Sequence, residues 1–544
     1  MAVRSTETVT GRPPPGLLLA AAVASVLVLL PLAVTLFQAA QAPFKDAINL
    51  LFRPLVGELL LNTLMLVVAT TLCSAVLGTA AAWLLERTRV PGRRLWSALI
   101  AVPLAIPAFI TSYAWVSLSP SLQDFAGALL IVTCSYYPIL YLSVAAALRN
   151  IDPALEETAR SLGCGPWSSF FRVVLPHLRP ALLGGMLLVA LDVLVEFGAF
   201  SLLRFRTFTT EIYAEYRTGF NGPEASLLAV VLIILCILFL VAEMRVRGSA
   251  QYARLGGGTR RKSVPYELGW AAIPVAAGFV LIAIVALGVP LGMIAFWLTQ
   301  HSAAAISPVM ASGGLLISTA ARSLEFSALA TLLTLTLALP LAFLAVRYKG
   351  WPITILERVA YLAQGVPSIV VALALVALTV HALRPLYQST ALLIVAYSIL
   401  FMPLALVSLR AALSQAQRGL EEAGRSLGLN WFEIAFRIVL PLAGPGLGAA
   451  AALIFVSVFS ELTATLLLAP IGTSTLAIQV WSDTSTLAFA AAAPYAAVMI
   501  GISLVSTWLL ARRFGETAVF DSAATPDLKK TPAFRLEHAA EADI

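Results

Sequence analysis

Charged side chains are scarce in this sequence. They make up 12% of the 544 residues, whereas 60% are hydrophobic. In a soluble domain roughly a quarter of all residues are charged. This composition therefore excludes an ordinary soluble protein and predicts one that crosses a membrane many times. The net charge of +7 does not indicate binding to nucleic acid, because the positive residues concentrate in short loops between apolar runs, as expected for cytoplasmic loops.

Residues that bind metals or carry redox chemistry are also few. There are four histidines and four cysteines, and neither set has the spacing of a metal site or a redox motif. The nearest approach to a phosphate-binding loop begins at Gly257, but Arg261 stands where its second glycine belongs. We therefore predict that this chain binds no nucleotide or metal cofactor and carries no catalytic residue.

Long apolar runs dominate what remains, and each is long enough to cross the hydrocarbon layer, which needs about 20 residues. The first half has six, near residues 16–37, 58–84, 95–118, 125–147, 180–203 and 226–245. The second half has six more, near residues 269–298, 324–346, 358–382, 389–412, 447–469 and 487–512. The predicted fold class is an all-α polytopic membrane protein with about twelve transmembrane helices.

Loop charges predict the orientation of these spans. Arginine and lysine cluster after the second, sixth, eighth and twelfth runs, whereas the loops at 119–124 and 470–486 contain neither residue. Because positive residues accumulate on the cytoplasmic side, both termini are predicted to be cytoplasmic. The loop after the fifth run does not follow this pattern, since it carries three arginines, Arg204, Arg206 and Arg217.

The two halves are an internal repeat. A shift of 265 residues aligns Glu156 with Glu421 and Pro138 with Pro403, and upstream a shift of 260 aligns Arg87 with Arg347. Each half holds six spans, so the halves are parallel repeats related by an axis along the membrane normal. The predicted organisation is a cytoplasmic segment, a first transmembrane domain, a cytoplasmic linker, a second transmembrane domain and a disordered cytoplasmic tail, with bounds at 1–15, 16–247, 248–268, 269–515 and 516–544.

One polar stretch interrupts each half at matched positions. The first runs from Glu156 to Pro176 and the second from Glu421 to Pro441. In the first, Asp152-Pro153 predicts a helix start and Gly163 a helix end, and we expect a second short helix that Pro176 interrupts. Two short helices at an angle would then lie on the membrane surface.

The large side chains of this stretch suggest a docking site. Leu162, Trp167, Phe170 and Phe171 are expected to fill a groove on a partner, while Glu157 and Arg160 orient it. A plain helical connection between two spans is the alternative. Duplication at the same internal spacing favours docking.

These duplicated stretches resemble the cytoplasmic loops of the membrane subunits of bacterial ATP-binding cassette importers. The resemblance covers essentially residues 50–515. Each copy differs from the Glu-Ala-Ala pattern of that family at one small residue, which is Thr158 in the first copy and Gly424 in the second. It implies that the loops are coupling helices that contact ATP-binding subunits. The residues it assigns to them are Glu156, Glu157, Ala159, Gly163, Leu175, Pro176, Glu421, Glu422, Ala423, Gly428, Leu440 and Pro441.

The same resemblance implies the other components of the transporter. Two copies of a cytoplasmic ATP-binding subunit would hold ATP and magnesium, a periplasmic binding protein would deliver the substrate, and this chain would lie among the lipids of the bacterial inner membrane. Short segments such as Glu196-Phe197-Gly198-Ala199 and Ser460-Glu461-Leu462 resemble segments of the ferric-iron importer permeases. Thiamine, phosphonate and polyamine permeases share the architecture and remain alternatives.

Ionisable residues within apolar runs are costly and indicate function. Glu196 and Glu461 occupy equivalent positions of the repeat, and Asp192 precedes Glu196 by one helical turn. They are candidates for a translocation path, because ferric ion prefers oxygen ligands. Alternatively, each glutamate braces the bundle by pairing with Arg204, Arg206 or nearby hydroxyl groups.

Two other classes of protein are compatible with the composition. An ion-coupled secondary transporter also uses parallel six-span repeats, but it needs no duplicated docking loop for an ATPase. A membrane-embedded enzyme would need a catalytic cluster at membrane depth, and only Asp192 and Glu196 offer one. Both readings therefore rank below an importer permease.

Overall fold

A computed structural model describes residues 13–219, 221–250, 265–300, 313–416 and 418–514. The described residues of the first half form helices joined by short turns. The helices are α1 (Pro15–Ala39), α2 (Phe44–Leu51), α3 (Pro54–Arg87), α4 (Arg93–Ala101), α5 (Ala108–Leu118), α6 (Phe125–Asn150), α7 (Pro153–Ser161), α8 (Pro166–Ser169), α9 (Leu175–Val195), α10 (Gly198–Leu202), α11 (Phe208–Arg217) and α12 (Gly222–Ala250).

In the second half the first span is divided into two helices, and the order from α15 onward repeats the order from α3. Its helices are α13 (Ala272–Ala283), α14 (Val289–Leu298), α15 (Gly313–Arg347), α16 (Trp351–Leu362), α17 (Ser368–His381), α18 (Thr390–Gln415), α19 (Arg418–Ser426), α20 (Trp431–Ile434), α21 (Leu440–Phe459), α22 (Thr463–Leu468), α23 (Leu476–Ser485) and α24 (Phe489–Phe514). A π turn, Ile284–Gly288, joins α13 and α14 into one span. The all-helical polytopic prediction is confirmed.

The number of spans depends on two sharp bends. Ten helical segments within the described residues are long and apolar enough to cross a membrane, and two bent pairs raise the total to twelve. The bends measure 93° between α4 and α5 and 104° between α16 and α17. Each falls before a proline, Pro107 or Pro367, where the preceding residue is extended, as proline requires of its neighbour. The twelve predicted runs therefore all form helices, and two of them bend sharply ahead of these prolines.

The two halves exchange their first helices. The long helices α3, α6 and α9 pack together in the first half, as α15, α18 and α21 do in the second. Helix α1 packs instead against α15, α16 and α17 of the other half, and Ser25 on it donates to the carbonyl of Leu356 at 3.2 Å. Helix α14 packs reciprocally on α5. Each half thus covers apolar surface of the other, which joins them into one body.

The fifth and eleventh spans end earlier than predicted. Helix α9 stops at Val195 and α21 at Phe459, and a short helix follows each break. Glu196 and Glu461 therefore lie in the breaks and not inside helices. The expectation that Asp192 and Glu196 share one helix face is wrong in this respect, because the backbone at Glu196 is extended (φ −66°, ψ 126°).

Candidate functional site

The first polar stretch begins with a capped helix. Asp152 accepts a hydrogen bond from the Ala154 amide at 3.0 Å at the start of α7. The helix ends at Gly163, whose φ of +82° is left-handed. There the Gly163 amide donates to Arg160 O at 2.9 Å and the Cys164 amide to Ala159 O at 3.0 Å. This pair of bonds is a Schellman ending, which glycine favours because it lacks a Cβ.

The second stretch has the same ending. Gly428 has a φ of +83°, its amide donates to Arg425 O at 3.0 Å, and the Leu429 amide donates to Gly424 O at 3.1 Å. The prediction that Gly163 ends a helix is confirmed, and Gly428 ends the equivalent helix of the second stretch. Neither glycine has atoms within 4 Å of where a Cβ would lie, so the backbone conformation and not crowding requires glycine here.

The prolines that close the two stretches do not interrupt a helix, contrary to the expectation for Pro176. A π turn, Phe170–Val174, leads directly into α9, so that Trp167–Val195 is one continuous span. The turn Ala435–Val439 does the same ahead of Pro441. Proline lacks an amide proton and its ring crowds the preceding turn, and the wider i to i+5 bonding of a π turn accommodates both.

The first glutamate of each stretch points into the protein. Glu156 is 2% exposed, and its Oε1 lies 2.7 Å from Arg87 Nε at the end of α3. Glu421 forms the equivalent pair with Arg347 at 2.5 Å. Arg87 also donates to Leu148 O at 2.8 Å. These pairs attach each loop to the spans beside it, so the glutamates are structural anchors.

The second glutamate and the apolar side chains remain accessible. Glu157 is half-buried and Glu422 is exposed. Exposed apolar side chains occur at equivalent positions of both loops: Leu155 and Leu420, Leu162 and Leu427, and Phe171 and Phe436. Trp167 adds a further exposed ring in the first loop. Each loop thus presents an unpartnered apolar surface next to an acidic residue, here called the docking face.

The structure accounts for one departure between the copies. Ala159 is buried in the first loop, and Gly424 holds the equivalent buried position in the second. A Cβ at Gly424 would lie 2.7 Å from Ile438 Cδ1. The residue equivalent to Ile438 is Val173, which has no such atom. The second copy therefore combines a smaller helix residue with a larger neighbour.

Arg160 does not face outward as expected. Its guanidinium lies 3.8 Å above the ring centre of Tyr266, a residue of the predicted linker. The ring of Trp83 packs beside this contact. Its centre lies 6.2 Å from the ring centre of Tyr266 and 5.6 Å from the ring centre of Trp167. The predicted linker is therefore partly built into the first domain, at least at its C-terminal end, while its residues 251–264 lie outside the described part.

Glu196 caps the short helix after its break. Its Oε1 accepts from the Ala199 amide at 2.8 Å, and its Oε2 accepts from the Tyr136 hydroxyl at 2.6 Å. The backbone carbonyl of Glu196 accepts from Thr209 at 2.6 Å. Hydroxyl and amide donors hold this carboxylate, and not the side chains of Arg204 or Arg206.

Glu461 repeats this arrangement. It accepts from the Ala464 amide at 3.1 Å, Thr465 donates to its carbonyl at 2.7 Å, and Ser368 hydrogen-bonds to its side chain. It also lines a small polar cavity together with Ser323, Ser327, Tyr397 and Thr475. Tyr136 and Tyr397 were missed by sequence reasoning, because a tyrosine in an apolar run carries no signal of what it will contact.

The two breaks meet between the halves. A Cβ on Gly198 would lie 2.9 Å from Leu462 Cδ2, and Glu196 and Glu461 are near enough to interact electrostatically. Asp192 also interacts with Glu196. Within the described residues, however, no group of three or more His, Cys, Asp or Glu side chains could hold a metal ion. The three carboxylates thus lie near one another without forming such a group.

The helices α11 and α23, which follow the breaks, contact each other across the two halves. Tyr213 on α11 and Trp481 on α23 are equivalent residues of the repeat, and their rings meet edge to face at 6.3 Å. Trp481 also donates to Ser201 at 3.3 Å. Nearby, burial and the carboxylates of Glu224 and Glu211 raise the pKa of Glu215. This aromatic contact joins the two halves near the first break, since the ring centre of Tyr213 also lies 4.9 Å from that of Phe197.

Fold and loops together define a helical transport permease: two parallel repeats, joined by exchanged helices, each presenting one docking face. The family model described as "Binding-protein-dependent transport system inner membrane component" matches twice, over residues 74–246 and 334–513. The chain belongs to this family. It is a multi-pass inner membrane protein of a binding-protein-dependent transport system, and the two matches fall within the two predicted domains.

Individual relatives cover the chain to different extents. The Fe(3+)-transport system permease protein FbpB 2 of Haemophilus influenzae is 38% identical over 504 residues, which is 92% of this chain and 98% of that protein. The sulfate permease protein CysT of Escherichia coli is 31% identical over 39% of this chain and 84% of its own length. The molybdenum permease protein ModB of Escherichia coli is 27% identical over 34% of this chain and 90% of its own length.

Proposed function

We propose that this chain is the permease of an ATP-driven importer of ferric iron, which a periplasmic binding protein delivers. The observation that carries this proposal is similarity along almost the whole length of both proteins to a Fe(3+)-transport permease. The sulfate and molybdenum permeases match about a third of the chain, which supports the shared architecture but not a shared substrate.

The charge of the central region also supports a cation. Asp192, Glu196 and Glu461 would repel an oxyanion such as sulfate, whereas carboxylate oxygens suit a hard trivalent ion. Because these groups are separate and form no resident metal cluster in the described residues, each would hold the ion weakly and pass it on. We propose this relay as the translocation path.

Uptake of radiolabelled ferric iron into proteoliposomes that hold the complete complex tests the substrate. We expect ATP-dependent uptake when the iron-loaded binding protein is added, and none when it is omitted. Uptake of thiamine, a phosphonate, a polyamine or sulfate in place of iron would refute ferric iron and leave the importer class intact. Uptake driven by a proton gradient without ATP would refute the importer class itself.

We further propose that two copies of an ATP-binding subunit, which hold ATP and magnesium, bind the two docking faces on the cytoplasmic side. Duplicated exposed apolar side chains support this, since Leu162 and Leu427 are 78% and 81% exposed. Such surfaces mark protein interaction sites when they are exposed to water. With the loops in the cytoplasm, both termini are also cytoplasmic, as the arginine pattern predicts.

Paired substitutions test the docking faces. We expect the double variant Glu157→Ala with Glu422→Ala to weaken retention of the ATP-binding subunit, and Leu162→Ala with Leu427→Ala to weaken it further. Ile471→Ala is the matched control, because this side chain is 86% exposed in the loop predicted to face the other side of the membrane. Equal retention by all variants would contradict docking at these loops.

The relay is tested with Glu196→Gln and Glu461→Gln together. We expect iron uptake to fall while ATP-binding subunits stay attached, because the docking faces are unchanged. If uptake is unchanged, the relay is wrong. If uptake and thermal stability fall together and Tyr136→Phe lowers both to the same extent, the glutamates brace the breaks and carry no ion.

A further inference from the structure

A small polar cavity lies between the two halves, here called the junction cavity. Its volume is about 60 Å³, which is more than one water molecule needs. Residues in or beside three loops line it, and the loop charges predict that all three lie on the periplasmic side. Its polar groups come from Gln123, Ser201, Arg204, Thr484 and Ser485. Of the described residues that line it, only Arg204 is charged.

Arg204 is one of the three arginines that break the charge pattern of the loops. Because positive residues accumulate on the cytoplasmic side, an arginine on the other side calls for a separate role. Bracing Glu196 is not that role, since amide and hydroxyl donors hold this carboxylate. The Arg204 side chain is exposed, and no ion pair joins it to any of the described residues. Its guanidinium is therefore available to a group from outside the chain.

The backbone at Arg204 is also unusual. Its φ is +52°, in the left-handed region. The Arg204 amide donates to Ser201 O at 3.3 Å and the Phe205 amide to Phe200 O at 3.0 Å, which is the Schellman ending that glycine makes at position 163. A side chain with a Cβ is disfavoured in this conformation. An arginine thus occupies a position at which glycine would be less strained.

The second half has glycine at the equivalent position. The shift of 268 residues that pairs Tyr213 with Trp481 places Gly472 opposite Arg204, and the φ of Gly472 is +78°. The two halves therefore share a left-handed turn here, and only the first half places a cationic side chain on it. The difference between the copies adds a charge at the expense of backbone strain.

The second half contributes a strained residue of its own to the junction cavity. Leu487 has a φ of +63°, and its amide donates to Thr484 O at 3.0 Å while the Ala488 amide donates to Asp483 O at 2.8 Å. In the described part of the chain three residues other than glycine have a positive φ, and two of them line this cavity. Backbone strain of this kind concentrates at ligand-binding sites.

The groups that line the cavity suit a carboxylate. Arg204 offers paired N–H donors in the geometry that a carboxylate accepts. Gln123 donates to Leu202 O at 3.4 Å and Trp481 donates to Ser201 Oγ at 3.3 Å, so groups of both halves hold the end of α10 in place. Because Ser201 accepts in this contact, its own hydroxyl proton can be donated to a ligand. None of the described residues that line the cavity is acidic, so an anion would not be repelled.

The rim of the cavity favours a protein as the source of the carboxylate. Leu487 lines the cavity and is 60% exposed, and an exposed leucine adds nothing to the binding of a small free anion. Arginine is among the residues that carry most of the binding energy in protein interfaces. The chain belongs to a binding-protein-dependent transport family, and the binding protein would arrive on the periplasmic side.

We infer that the junction cavity receives an acidic side chain of the substrate-binding protein, whose carboxylate pairs with the Arg204 guanidinium. A side chain placed there would touch both halves at once, because Ser201 belongs to the first half and Thr484 to the second. The inference rests on the proposed importer function and on the predicted orientation of the loops. It does not depend on which substrate is transported.

The affinity of the iron-loaded binding protein for the complete complex in lipid nanodiscs tests this contact. We expect Arg204→Gln to weaken binding about tenfold or more, as for an arginine at the centre of an interface. Arg204→Lys should restore only part of the loss, because an ammonium keeps the charge but not the paired donors. Arg217→Gln is the matched control, since it removes an exposed charge outside the cavity on the same predicted side.

Arg204→Gly separates binding from folding. Glycine adopts a left-handed φ without strain, so we expect this variant to unfold at a higher temperature than the wild type and to bind as weakly as Arg204→Gln. A lower unfolding temperature together with weaker binding would assign Arg204 a structural role and overturn the inference. Equal affinity of the wild type and Arg204→Gln would also overturn it, as would an equal loss in Arg217→Gln.

Acetate distinguishes a free acid from a protein side chain. We expect acetate to compete only weakly with the binding protein, and to leave the unfolding temperature of the wild type unchanged. Stabilisation of the wild type but not of Arg204→Gln by acetate, with no effect of Arg204→Gln on the binding protein, would assign the cavity to a free acid and overturn the inference. Failure of the importer function itself would look different, because the wild-type complex would then show no ATP-dependent uptake with the binding protein present.

Discussion

The buried pair between Arg87 and Glu156 allows a quantitative prediction for the substitution Glu156→Gln. The two side chains are 5% and 2% exposed and 2.7 Å apart. Replacing the carboxylate by an amide preserves the shape of the side chain but leaves the guanidinium as a buried charge without its counter-ion. Arg87 would retain its hydrogen bond to Leu148 O at 2.8 Å.

The expected cost follows from the burial of the pair. Removing one partner of a buried ion pair costs about 3–5 kcal/mol, and the lower end applies here because an amide oxygen can still accept from Arg87. A cost of about 3 kcal/mol corresponds to roughly a hundredfold rise in the open population of the loop. Since the pair attaches α7 to α3, the effect should concentrate in residues 153–163.

Hydrogen exchange of these amides in nanodiscs measures the open population directly. The control is Glu157→Gln, which removes the same charge from a more accessible neighbour and should change exchange less than threefold, as for a surface charge. Glu421→Gln should reproduce the effect in the second loop, because its pair with Arg347 is equally buried. Similar exchange in Glu156→Gln and Glu157→Gln would refute the anchoring role.

Three further predictions concern thermal unfolding in detergent. Gly163→Ala should destabilise by about 1–2 kcal/mol because its φ is left-handed, whereas Gly165→Ala, also in open space, should not. Gly424→Ala should destabilise by about 1–3 kcal/mol through overpacking, and adding Ile438→Val should relieve most of that cost. Tyr136→Phe should destabilise by about 1.5–3 kcal/mol through loss of a hydrogen bond to a partly buried carboxylate.

Each of these three has a contradicting result. Equal stability of the two glycine variants at 163 and 165 would mean that the left-handed turn carries no strain. Additive effects of Gly424→Ala and Ile438→Val would show that the two side chains do not compete for space. An unchanged unfolding temperature for Tyr136→Phe would mean that the carboxylate finds another donor.

Much of the fold could be predicted because its signals are local or repeated. Apolar runs of sufficient length identify the spans, and the glycine endings at 163 and 428 follow from residue chemistry alone. The constant shift between the halves reveals the duplication. The breaks at Glu196 and Glu461 could not be predicted, because no proline occupies either break and the capping donor on Tyr136 comes from a different span.

The sequence by itself determined the class of protein, the repeat and the two polar loops, because composition, span length and motif spacing depend only on the order of residues. Tertiary structure decided which side chains face outward. It turned Glu156 toward Arg87 and Arg160 toward Tyr266, and it exchanged the first helices between the halves. These contacts join residues far apart in the chain, so packing of the folded bundle alone brings them within reach.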